Sequence, residues 1–169
     1  MTPEQKRKRV VTEVRKTFHR CQSYEGFERA MRRKYGKQFR YLGGGIDREV
    51  FALPQGLVVK LSYGQEQNNT ERETYKEYPR LVAKVYAHLS KSDDGYWSIN
   101  IQRRARRLRG VPRKNSKWNK AFRRIARRFH DVHWKNVGII DERLVLIDGG
   151  FGSGYTSGYT TGHGYAYNW

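Results

Sequence analysis

Apolar side chains recur at helical spacing over residues 3–35: Val10, Val11, Val14 and Phe18, then, past a break near Ser23, Phe27, Ala30 and Met31. Spacings of three and four put such residues on one face, so the segment predicts two amphipathic helices. From Gln38 the period shortens. Residues 39–42, 49–53 and 57–61 alternate or cluster apolar side chains, separated by Gly43-Gly44-Gly45 and Pro54-Gln55-Gly56. They predict three antiparallel strands in a meander, with Lys60 at the end of the third. A Glu-rich helix over 68–78, stopped by Pro79, comes next. Strands over 82–89 and 96–101 follow, joined by a turn at Ser92-Asp93-Asp94-Gly95.

The pattern changes once more beyond Arg103. Ser116 is positioned to cap a helix that carries Trp118, Phe122, Ile125 and Phe129 on one face and Arg123, Arg124, Arg127 and Arg128 on the other. Two short apolar strands, 137–140 and 144–147, flank a turn at Asp141-Glu142 and end in Asp148-Gly149-Gly150. Residues 151–169 lack Asp, Glu, Lys and Arg and nearly repeat Gly-Tyr-Thr, which reads as a flexible tail. The fold class is α+β. Four regions are expected: an N-terminal helical extension (1–37), a strand-rich unit (38–101), a smaller unit (102–152) and a Gly/Tyr-rich tail (153–169).

Charge narrows the set of partners. Among 169 residues there are 35 Lys plus Arg against 16 Asp plus Glu, a formal net charge of +19. Between Arg103 and Phe129 stand 13 cations and no acid. Such a surface attracts polyanions through counterion release, so RNA, DNA or a ribosome is an expected partner. Arg103, Arg104, Arg106, Arg107, Arg123, Arg124, Arg127 and Arg128 are the candidate contacts. Lys6, Arg7, Lys8 and Arg9 form a second basic run, read as a solvated helical turn ahead of a nuclear address or a phosphate-binding arm. With 37% hydrophobic residues and a mean hydropathy of −0.94, no apolar run reaches the roughly 18 to 20 residues that cross a bilayer. No membrane role is expected, and the expected location is cytoplasmic, the host cytoplasm if the chain is viral. Cys21 is the single cysteine, so no internal disulfide forms. His130 and His133, three apart and without further Cys or His beside them, make a poor zinc site.

The residues with chemical potential are distributed along the chain. Gly43, Gly45 and Val50 fit G-x-G-x-x-x-x-V between two strands, where Gly43, Gly44 and Gly45 let backbone N–H groups approach phosphates. Lys60 ends Val58-Val59-Lys60. The Glu-rich helix offers Glu71, with Glu73 and Glu77 as rivals, to pair with that ammonium. Asp131 and Asn136 lie five apart, and Asp148 lies 12 further on.

In this order the elements resemble the protein-kinase fold from about residue 38 to 152. Asp131-Val132-His133-Trp134-Lys135-Asn136 is similar to the D-x-H-x-x-N loop of aminoglycoside-phosphotransferase-type and other atypical kinases. The resemblance implies two lobes: a five-stranded antiparallel sheet with one helix, and a reduced, mostly helical lower lobe. It implies ATP and Mg²⁺. Asp131 would accept the proton of an attacking hydroxyl, Lys60 and Glu71 would orient the nucleotide, Asn136 and Asp148 would hold the metal, and residues 101–108 would meet adenine through their backbone.

This chain departs from the family pattern at three places. Arg48 stands where the third loop glycine belongs, a long side chain that either blocks phosphates or binds them. The D-F-G motif reads Asp148-Gly149-Gly150. Only 19 residues follow Gly150, with no activation segment, so a conventional protein kinase is not expected. A polycationic aminoglycoside acceptor is disfavoured by the basic surroundings. The expectations are therefore a miniature Mg-ATP phosphotransferase of unknown acceptor, or a weak or inactive kinase-like scaffold that grips nucleic acid. A structural part of a viral assembly is a further alternative, and the compression is similar to that of small phage-encoded kinase-like proteins.

Overall fold

The structure is a computed structural model that describes residues 1–45, 48–63, 66–92, 96–129 and 132–148. Helix α1 (Pro3–Arg20) begins in a capping box: the Thr2 side chain accepts from the Gln5 N–H while the Gln5 side chain accepts from the Thr2 N–H, and Pro3 starts the first turn. Ser23 caps α2 (Tyr24–Tyr35) by accepting from the Gly26 N–H, and Gly36, at φ +50°, ends it. Both helices turn their apolar stripes inward, burying Val10, Val11, Val14, Phe18, Phe27 and Met31.

That stripe lies on one face of a five-stranded antiparallel sheet. Its strands are β1 (Tyr41–Gly44), β2 (Arg48–Leu53), β3 (Leu57–Tyr63), β4 (Val85–Lys91) and β5 (Trp97–Arg103), in the order β1-β2-β3-β5-β4. Period-two alternation assigns the faces. Leu57, Val59, Leu61, Trp97, Ile99 and Ile101 join the helices in the main core. The alternate residues Val58, Lys60, Asn100 and Gln102 point the other way; Val58 pairs with Gln102 and Lys60 with Asn100 in register. Helix α3 (Glu66–Glu77) is clamped to this second face by Asn68, whose Nδ2 donates to Lys60 O at 3.2 Å, Ser98 O at 3.1 Å and Ser98 Oγ at 3.0 Å.

A second sheet, β6 (Arg106–Arg107), β7 (Val137–Ile140) and β8 (Arg143–Leu146), packs with α4 (Asn119–Arg128) around Leu108, Ile125, Phe129, Val137 and Leu144. Asp141 and Glu142 both take positive φ at the β7–β8 turn, a pairing of strands through a tight two-residue connection. The two sheets are tied where Ala83 N donates to Leu146 O at 2.8 Å and Leu146 N to Leu81 O at 2.7 Å.

Several expectations need correction. The smaller unit is not mostly helical, because Arg106-Arg107 adds a strand to the hairpin and α4 is its one α-helix among the described residues. Residues 82–83 leave the fourth strand to pair with β8, so β4 starts at Val85. Gly43 and Gly44 lie inside β1, paired with Val50 and Glu49, rather than in the turn. Lys60 sits in the middle of β3, not at its end. Ser116 does not cap α4; its hydroxyl has no hydrogen-bond partner among the described residues, and the chain turns through Asn119 N to Ser116 O at 3.1 Å before the helix begins. No described helix is long and apolar enough to cross a membrane.

Candidate functional site

Lys60 is the centre of the arrangement. Its position in β3 sends the side chain to the α3 side of the sheet, where only 2% of it is exposed. The ammonium donates to Glu71 of α3 and to the carbonyl of Ile147, just past β8. Burial pushes the Lys60 ammonium below its ordinary value, with Glu71 acting against that and Arg48 adding to it. Glu71 is wholly buried and accepts also from Asn100 Nδ2 at 2.9 Å, so its two oxygens are held by groups from two strands. The rivals are engaged elsewhere: Glu73 pairs with Arg72 and Lys76, and Glu77 lies 4.0 Å from Arg128. One turn of α3 separates Asn68, the clamp, from Glu71, which explains why this glutamate and not its neighbours reaches the lysine.

Asp148 lies at the end of the β7–β8 hairpin. Its backbone N–H reaches Asn136 O at 3.4 Å, and the Ile147 N–H donates to the same oxygen at 2.8 Å, so Asn136 and Asp148 are neighbours. Arg48 of β2 donates to the Asp148 carboxylate and stands 3.7 Å from Glu71. Burial raises the Asp148 carboxyl, but Arg48 and Lys60 outweigh it and hold the group below the ordinary carboxylate range. Two cations and two carboxylates thus alternate in a buried cluster formed from β2, β3, α3 and the end of the hairpin. Sequence reasoning names Lys60, Glu71, Asn136 and Asp148 but not Asn68 or Asn100, and reads Arg48 as a side chain that blocks or binds phosphates, not as the partner of Asp148. The signal for Asn100 was polar residues alternating with isoleucine in Ile99-Asn100-Ile101-Gln102, a strand with one polar face among buried neighbours. Asp131 lies outside the described residues.

Beside the cluster opens a cavity of about 430 Å³ lined by Leu42, Val58, Lys60, Gln102, Ala105 and Ile147, with Arg103, Arg104, Arg106 and Arg107 along one wall. Its roof is Leu42 and Val58, two members of the apolar patch Leu42, Val50, Ala52 and Val58. Close approach of β1 to β2 needs glycine at position 44, where an added Cβ would fall 3.0 Å from Arg48 O. Gly45 N donates to Arg48 O at 2.7 Å, so the glycine segment, Arg48 and the cluster are mechanically connected.

The arginines divide into two groups. Arg103 forms a fork on Asp141, at 3.0 and 2.9 Å, Arg107 lies over the Trp134 ring at 5.9 Å, and Arg128 sits over Tyr78 at 4.5 Å. Arg104, Arg106, Arg123, Arg124 and Arg127 are exposed. No protein-family model and no curated protein matches this chain.

Proposed function

We propose that the chain is a compact kinase-like nucleotide-binding protein, with its strand-rich unit and its smaller unit acting as two lobes around the cavity, and that it transfers phosphate from ATP. The observation that carries this reading is the buried Lys60 ammonium, held by Glu71 and Ile147 O beside Asp148 at the wall of a 430 Å³ cavity. A fixed cation at a cavity edge suits α- and β-phosphates, and the apolar roof suits a base. The Asp148 carboxylate with the Asn136 amide fits Mg²⁺, a hard cation that takes oxygen donors and keeps phosphate oxygens among its ligands. Arg48 occupies the Asp148 carboxylate in this arrangement, so the ion would take the place of the guanidinium. Asn136 and Asp148 would hold the ion, which would neutralise charge on the phosphates. In this reading the acceptor hydroxyl attacks the γ-phosphorus, its proton passes to Asp131, and the bond to the β–γ bridging oxygen breaks to leave ADP.

Calorimetric titration with a non-hydrolysable ATP analogue, with and without Mg²⁺, tests the proposal. Saturable binding that Lys60→Met weakens at least tenfold is expected; no heat at millimolar ligand overturns it. Transfer of labelled γ-phosphate to any acceptor that Asp131→Asn abolishes, without loss of binding, would establish turnover.

A second reading has its own observation. The exposed face of α4 carries Arg123, Arg124 and Arg127, none in an ion pair among the described residues, and it favours a scaffold that binds nucleic acid.

A further inference from the structure

The amide of Gln102 is buried to 1% exposure on the cavity side of β5, and its Nε2 has no hydrogen-bond partner among the described residues. Native proteins leave few buried donors unpaired, because the lost solvation is not regained. The neighbours on its face are no help: its cross-strand partners are Val58 and Val85, Leu42, Ala105 and Ile147 on the cavity wall are apolar, and the Lys60 and arginine side chains there only donate. Water in the cavity, or a ligand that displaces it, is the remaining source of a partner.

The backbone beside it is already committed. Arg103 N donates to Lys84 O at 3.2 Å and Arg104 N to Gly56 O at 2.8 Å, while Arg106 and Arg107 pair with Ile139 and Gly138 of β7. Two main-chain donors following Gln102 are therefore unavailable to a base. Along the sheet, Gln102 and the Lys60–Asn100 pair are two residues apart, about 7 Å. A nucleotide whose phosphates lie at Lys60 would bring its base, one ribose away, to the Gln102 end of the cavity.

We propose that Gln102 reads the base edge of the bound nucleotide and selects adenine over guanine. This inference rests on the nucleotide reading above. An amide presents one donor and one acceptor in a fixed fork. Adenine offers the complement, an N7 acceptor beside the N6 amino donor, whichever way the amide is turned. Guanine offers two acceptors, N7 and O6, and leaves half of the fork unpaired.

The test is calorimetric titration of the full chain with ATP, GTP and 7-deaza-ATP, which lacks the N7 acceptor, repeated on Gln102→Met, a near-isosteric replacement without the fork. Wild type should bind ATP about tenfold tighter than either of the other two. In Gln102→Met the three affinities should converge, mainly through loss of ATP affinity. Equal affinities in wild type, or a preference that survives in Gln102→Met, overturns the assignment while leaving nucleotide binding intact. Failure of wild type to bind any of the three overturns the nucleotide reading itself. If Gln102→Met does not fold, the wild-type comparison of ATP with 7-deaza-ATP still decides, since only the ligand changes.

Discussion

At the scale of single residues, the strongest claim concerns the cost of separating charges that are already out of water. Lys60 and Glu71 are both buried, so each is tolerated only because the other, with Asn100 and Ile147 O, replaces its hydration. Lys60→Met should therefore destabilise the fold by about 3–5 kcal/mol, read as a lower midpoint in urea. Lys60→Met with Glu71→Gln should recover about 1–3 kcal/mol, because the carboxylate that lost its partner is gone while its hydrogen bond from Asn100 survives. Additive single effects would show that the pair is not coupled. A second residue tests the same face by pH. His88 Nδ1 meets Asn100 Oδ1 at 2.8 Å, and the ring is half-buried; burial lowers its pKa below the ordinary 6.5, Asn100 opposes that, and Arg72 and Lys76 add to it while Glu73 opposes. Above pH 6.5 the ring is neutral folded or unfolded. Below it the unfolded chain takes up a proton that the folded chain refuses, so stability falls as pH drops from 6.5 toward the folded-state value. His88→Gln should flatten that decline between pH 7.5 and 5.5, and an unchanged slope would remove His88 as its source.

Among elements, legibility follows from how local the cause is. Helices α1 and α2 can be read in the sequence because their stripe, the Thr2 and Ser23 caps and the Gly36 stop are all encoded within a turn of where they act. Strand β6 cannot, because Arg106-Arg107 has no strand pattern and pairs only since β7 offers an edge 31 residues away. Residues 82–83 join β8 for the same reason. The site shows the same divide: Lys60 and Glu71 are legible as a strand lysine and a helix acid, whereas Arg48 reaches Asp148 across 100 positions, a contact no local signal encodes. One long-range anchor of α1 is testable on its own. Glu4 accepts from Lys84 at 3.1 Å, from the Tyr86 hydroxyl at 3.0 Å and from Arg7 at 3.1 Å, fixing the start of the helix to β4. Lys84 foremost, with Tyr86 and Arg7, holds its pKa down to about 2. The stabilisation is full above the ordinary value near 4.5 and is lost as pH falls toward 2. Because the side chain is 39% exposed, Glu4→Gln should cost no more than about 1 kcal/mol at pH 7, and the difference from wild type should shrink through pH 2 and vanish below it.

For the molecule as a whole, the net charge of +19 and the buried cluster make separable demands. The cluster uses Arg48 and Lys60 internally, and Arg103 is paired with Asp141, so these cations contribute little to a polyanion at the surface. What remains for such a partner includes the exposed set on α4 and the segment before it, Arg104, Arg106, Arg123, Arg124 and Arg127 among them, and Lys6, Lys8 and Arg9 on α1. Each phosphate neutralised on a single strand contributes about −0.7 to the slope of log affinity against log salt. Substituting Arg123, Arg124 and Arg127 together with alanine should therefore reduce the steepness for a single-stranded RNA by up to about 2, measured by fluorescence anisotropy from 50 to 200 mM salt. The same triple variant should bind the ATP analogue as wild type does, since none of the three lines the cavity. An unchanged salt slope would mean that α4 does not contact the RNA and that the excess charge acts elsewhere on the surface; a lost nucleotide affinity would mean that the two regions are energetically one.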